Sequence, residues 1–158
     1  MTAQSEQSTT HYWLASQQLA VGSVVEPGTW YKIVSNSGGH NHALLEEVYE
    51  RIRRDKYSSL PSRHRSMYLF DNIDTAHRFK NDNSWNHVDL YVVEIVNMNA
   101  NTVKLNSDFV VTSTGNSLLS TNELVERANT YWSSVNSECT KPEVLVESPV
   151  RIIQKIII

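Results

Sequence analysis

"SMYLFDNIDTAHRF", residues 66–79, holds two kinds of local structure back to back. Its first half belongs to "RSMYLF" (65–70), short, apolar and aromatic, which predicts a strand. At Asp71 the character changes. Asp71 or Asn72 can cap a helix, so "DNIDTAHRFKND" (71–82) is predicted as a short helix. A strand that runs straight into a helix is common to several fold classes, so the rest of the chain decides which one applies.

Downstream, "VDLYVVEIV" (88–96) is the strongest strand, with a β-branched run through Val88, Leu90, Val92 and Ile95. "NTVKLN" (101–106) continues a sheet. "STNELVERANTYW" (120–132) is a helix with Ser120 or Thr121 as cap and Glu123 in its first turn. "PEVLVESPVRIIQKIII" (142–158) reads as two strands broken at Ser148–Pro149, and its sticky second half is expected at the centre of a sheet. Upstream, "HALLEEVYERIRRDKY" (42–57) is the clearest helix. Leu44, Leu45, Val48, Tyr49 and Ile52 share a face, Asn41 can cap it, and Glu47–Arg51 and Glu50–Arg54 form i,i+4 pairs. "VVEPGTWYKIV" (24–34) reads as a Pro-Gly turn and a short strand, and "HYWLAS" (11–16) as the first strand. Strands and helices follow each other without regular βα alternation, which predicts an α+β fold of two mainly antiparallel sheets with flanking helices. Five glycines form neither a dinucleotide fingerprint nor a phosphate-binding loop.

The length, 158 residues, suits one domain, expected over 10–158 behind a disordered lead-in at 1–9. A net charge of −3 gives no global electrostatic footprint for nucleic acid, although "RIRRDK" (51–56) and "SRHR" (62–65) allow a local basic patch. The single cysteine, Cys139, excludes an internal disulfide and a cysteine-based zinc site, and fits a cytoplasmic location. The polar start lacks the apolar core of a secretory signal, and no run is long enough to span a membrane.

Three segments in this order, "HYW" on the first strand, "MYLFDNIDTAHRF", and "PEVLV" opening a late strand, resemble the ADP-ribosyltransferase superfamily of the diphtheria-type toxins and poly(ADP-ribose) polymerases. Members often carry Gly-(Ile/Val)-Tyr-Phe-Ala, then an alanine in a helix that ends in an aromatic. Here Met67-Tyr68-Leu69-Phe70-Asp71 is followed by Ala76 and Phe79. The family's glycine is Met67 here. Its first-strand histidine is followed here by Tyr12 and Trp13 in place of a small residue and a hydroxyl.

The resemblance implies an NAD cleft between the two sheets and a mono-ADP-ribosyltransferase that uses NAD as co-substrate. It also implies a macromolecular acceptor, protein or nucleic acid, and a toxin or defence role with a neutralising partner protein. Cleavage at the nicotinamide–ribose bond passes through an oxocarbenium-like sugar, which a carboxylate stabilises. Glu143 takes that role. Tyr68 would stack on nicotinamide and hold the leaving group in line. His11, with Tyr12 as fallback, would orient the other ribose through its ring nitrogens, and Arg63 would meet the pyrophosphate. Lys141 stands two residues before Glu143, where a carboxylate would suit arginine acceptors, so arginine modification is not expected. Two other functions fit the same segments. One is an RNA 2′-phosphotransferase-like enzyme, which needs Arg63, His64 and Arg65 to converge on a phosphate. The other is a catalytically silent member that binds a partner, with Met67 blocking the pocket.

Taken one at a time, these residues have plainer readings. A strand tyrosine is usually a packed ring, a strand glutamate guards an edge, and a basic helix run is a solvated face.

Overall fold

Residues 142–156 run through the middle of both sheets. In the computed structural model, which describes residues 10–36, 42–110, 113–114, 117–139 and 141–157, the elements follow in the order β1 (Thr10–Ala15), β2 (Val24–Val25), α1 (Thr29–Asn36), α2 (Ala43–Lys56), β3 (Met67–Leu69), α3 (Ile73–Asp82), β4 (Asp89–Ile95), β5 (Thr102–Asn106), β6 (Ser113–Thr114), β7 (Ser117–Leu118), α4 (Thr121–Ser133), β8 (Pro142–Val146) and β9 (Val150–Ile156). One sheet has the order β1-β4-β9-β2 and a second has β3-β8-β5, both antiparallel throughout, with β6-β7 a small hairpin. The molecule is an α+β fold. β8 and β9 are interior strands of different sheets, so the break at Ser148–Pro149 is the point where the chain changes sheet. Pro149 brings no N–H to a ladder. Its carbonyl accepts from the Val96 N–H at 3.0 Å, and Ser148 Oγ accepts from the Asn97 N–H at 2.9 Å.

Alternation along β8 sets the layers. Val144 and Val146, with Met67 and Leu69, meet Tyr91, Val93, Ile95, Val150 and Ile152 of the other sheet. Leu145 turns the opposite way, with Val103 and Leu105, against Leu45, Tyr49 and Ile52 of α2 and Leu124, Ala128, Tyr131 and Trp132 of α4. The three-stranded sheet therefore lies between the other sheet and the helices, and apolar side chains fill the space between the sheets. α3 closes one side, packing Ala76, Ile73 and Phe79 with Phe70, Tyr12 and Leu90. The sheets are stitched together where Tyr12 and Phe70 exchange backbone hydrogen bonds of 2.8 and 2.9 Å.

Two of the three expected caps fall on one of the residues predicted for them. Asn72 accepts from the N–H groups of Asp74 and Thr75 at the start of α3. Ser120 and Glu123 form a full capping box on α4. The expected strand over residues 30–34 is instead part of α1. Its aromatic and branched residues favour strands, but Gly28, at φ +91°, turns the chain, and the Lys32 N–H then bonds the Gly28 carbonyl at 3.2 Å to start the helix. A Cβ on Gly28 would stand 3.0 Å from the His64 carbonyl oxygen. β3 is shorter than its predicted span because residues 63–65 form a 3-10 turn. His42, not Asn41, occupies the N-cap of α2. Asn41 and the lead-in at 1–9 lie outside the described residues. Among the described residues no helix is long and apolar enough to cross a membrane.

Candidate functional site

The 3-10 turn that carries Arg63 is pinned on three sides. Ser62 Oγ donates to Glu50 Oε2 at 2.7 Å and accepts from the His64 N–H, the Ser62 N–H donates to Glu147 Oε1 at 2.6 Å, and Ser66 Oγ donates to the Ser62 carbonyl at 2.6 Å. The turn drives Arg63 inward until 3 % of it remains exposed. One edge of its guanidinium grips Glu46: Nη2 to Oε1 at 2.8 Å and Nε to Oε2 at 2.9 Å. The remaining nitrogen, Nη1, reaches Glu143 Oε1 and the Tyr131 hydroxyl, both at 2.8 Å, and Tyr131 in turn donates to the same Glu143 oxygen. The guanidinium carbon stands 4.9 Å from the centre of the Tyr68 ring and 5.2 Å from that of Tyr131. The Tyr68 hydroxyl donates to the Arg63 carbonyl. Trp30 Nε1 adds a bond to Glu46 at 3.1 Å.

One guanidinium thus faces two buried carboxylates. Burial opposes the charge of Glu46, yet the adjacent guanidinium outweighs it and holds that carboxyl below its ordinary range. Burial also works against Arg63, and Glu46 with its neighbours raises it well above the ordinary arginine value. Burial pushes Tyr68 and Tyr131 well up, so both remain neutral hydroxyls. Both hydrogen bonds to Glu143 end on Oε1, and among the described residues Oε2 accepts none. Glu143 is thereby anchored through one oxygen.

A second buried pair supports the turn. Glu50 receives Arg53 at 2.7 Å as well as Ser62 and Arg54. Burial raises the pKa of Glu50, but the bonds from Arg53 and Ser62 prevail and take it down to about 2. Groups depressed below the unfolded value of 4.5 stabilise the fold fully above that pH and lose the contribution as pH falls toward the folded value. Unfolding free energy measured in urea should therefore decline steadily from about pH 4.5 to about pH 2. A flat profile there would contradict the buried pairing.

The structure brings together three of the five predicted site residues, Glu143, Tyr68 and Arg63. Glu143 and Tyr68 share the helix-facing side of their sheet, because Tyr68 registers with Leu145 and Glu143 lies two residues before it. The space between the sheets, where the cleft was expected, holds packed side chains. His11 and Tyr12 stand on β1 in the other sheet, in register with Val93 and Val92, and Tyr12 packs beside Phe70. Arg63, expected at a pyrophosphate, spends its donors on Glu46, Glu143 and Tyr131.

Arg63, His64 and Arg65 do not converge. The His64 ring stacks on Tyr31 at 3.7 Å, and Arg65 is exposed beside Glu147. Glu46, Tyr131 and Trp30 were not among the predicted site residues. The available signal was Glu46 and Glu50, like charges one turn apart on a helix, which repel unless a cation from elsewhere meets them. Among the described residues no three His, Cys, Asp or Glu side chains are grouped to hold a metal ion.

Residues 3–157 match the model of the family described as "Protein of unknown function (DUF2441)", and the chain belongs to that family. No curated relative matches it.

Proposed function

We propose that this DUF2441 protein is an NAD-consuming mono-ADP-ribosyltransferase with an ADP-ribosyltransferase-like fold, and that Glu143 is its catalytic carboxylate. The observation that carries the reading is the one-sided anchoring of Glu143. Arg63 and Tyr131 hold Oε1, Oε2 is left to act, and the Tyr68 ring lies in the same cluster. In a poorly solvated setting a fixed negative oxygen stabilises a developing positive sugar far better than it would in water. The nicotinamide–ribose bond breaks with its electron pair leaving on nicotinamide. Oε2 accepts a hydrogen bond from a ribose hydroxyl and faces the oxocarbenium. The acceptor nucleophile then forms the new bond to the ribose carbon and gives up its proton. Tyr68 offers an aromatic face to the nicotinamide. Arg63 takes a role other than the one expected for it, orienting Glu143 while Glu46 balances its charge. The acceptor is a macromolecule, protein or nucleic acid, and the setting a cytoplasmic toxin or defence enzyme.

A second reading has its own observation. Glu143 is only 6 % exposed and already paired, which suits a catalytically silent member that binds a partner. Incubation with NAD, with and without cell lysate, separates the two by nicotinamide release. The wild type should release it, and the isosteric Glu143→Gln should abolish release while keeping its circular dichroism spectrum. An inert wild type would sink the transferase reading and leave the silent one.

A further inference from the structure

We infer that the concavity at the start of β8 is a binding site for a small phosphoanion, a phosphate- or pyrophosphate-bearing molecule, with Lys104 and Arg78 as its cationic ligands. The concavity measures about 350 Å³, within the size range of small-molecule sites, and its walls include Asp71, Asn72, Thr75, Arg78, Lys104 and Pro142. It is separate from the Glu143 cluster. Lys104 registers with Val144, whose side chain lies on the face opposite Glu143 and Leu145, so the central sheet stands between the two places.

The chemistry of the wall is that of a donor set. Two cations face one carboxylate. Asn72 has given its oxygen to the N–H groups of Asp74 and Thr75, which leaves its amide nitrogen as the donor. Thr75 adds a hydroxyl. Cys139, also in the wall, adds no negative charge, since burial pushes its thiol up. A phosphoanion is acceptor-only and complements such a set.

Lys104 holds Asp71 at 3.0 Å, but the two side chains are 39 % and 38 % exposed. A pair so well hydrated is worth little, so an incoming phosphate can recruit the ammonium at small cost. Asp71 is then the carboxylate of the wall that competes with the ligand for Lys104. Arg63 cannot serve in place of this site, because its donors are already spent inside the core.

The test titrates the full chain with inorganic pyrophosphate, read by calorimetry and by amide chemical shifts. Saturable binding is expected, with shifts centred on residues 71–78 and 104, and affinity that falls as salt is raised. Lys104→Gln and Arg78→Gln should each weaken binding about tenfold, and Asp71→Asn should tighten it. The gain in Asp71→Asn guards against variants that merely fold poorly. No binding by the wild type, or equal binding by all four proteins, would overturn the inference. Either result is independent of nicotinamide release, which reports on Glu143.

Discussion

Arg63→Met should cost about 3–5 kcal/mol of folding free energy at neutral pH, the range for removing one partner of a buried ion pair. Methionine keeps much of the stem volume and removes the guanidinium. Glu46 and Glu143 would then sit unpaired beneath α2 and α4, at 1 % and 6 % exposure. Trp30 and Tyr131 would remain as their donors, too few for two desolvated carboxylates. Arg63→Lys should fail almost as badly, because a single ammonium cannot grip Glu46 along one edge while reaching Glu143 and Tyr131 with the other. The deficit should shrink in acid, where protonating the stranded carboxyls removes their charge. Glu46→Gln in the Arg63→Met background should recover part of it. Denaturation in urea at several pH values measures all of this. A loss below about 1 kcal/mol would mean that the cluster behaves like a surface pair.

Trp132→Ala should be the other large loss, about 3–5 kcal/mol, because a fully buried indole leaves a cavity that its neighbours cannot fill. The ring lies edge-on to Tyr131 at 4.9 Å, and its Nε1 donates to the Tyr49 carbonyl at 2.9 Å, so it ties α4 to α2. Trp132→Phe keeps most of the packing and loses the bond, and should cost less, about 1–3 kcal/mol. Equal losses for the two variants would locate the stabilisation in the hydrogen bond. The Arg63 and Trp132 effects should not add when combined. Tyr131 touches both side chains, so each change alters the setting of the other.

The candidate site was only partly legible. Glu143 and Tyr68 were legible as residues of two strands, but that they share one face follows from the pairing of β3 with β8, which the fold supplies. The role of Arg63 was not legible. Its partners are 17, 68 and 80 residues away along the chain, and nothing in "SRHR" distinguishes an arginine bound for the core from its exposed neighbour Arg65. The helix over 43–56 was clear as a helix, yet its buried face was misjudged. Leu44 is 53 % exposed, while Glu46, Glu50 and Arg53 are inside. A polar side chain counts as outward in any periodicity argument, and only a partner contributed by the fold reverses that.

What the sequence determined by itself is what neighbouring residues settle between themselves: a cap at Asp71 or Asn72 and one at Ser120 or Thr121, of which Asn72 and Ser120 serve, and the break between two strands at Ser148–Pro149. The tertiary structure alone decided that residues 29–36 coil into α1, and that Glu46, Tyr131 and Glu143 meet on one guanidinium. The reason is the low polarity of the interior. Once water is excluded, a charge must be matched by whatever groups the fold brings within hydrogen-bonding distance, and separation along the chain has no part in that choice.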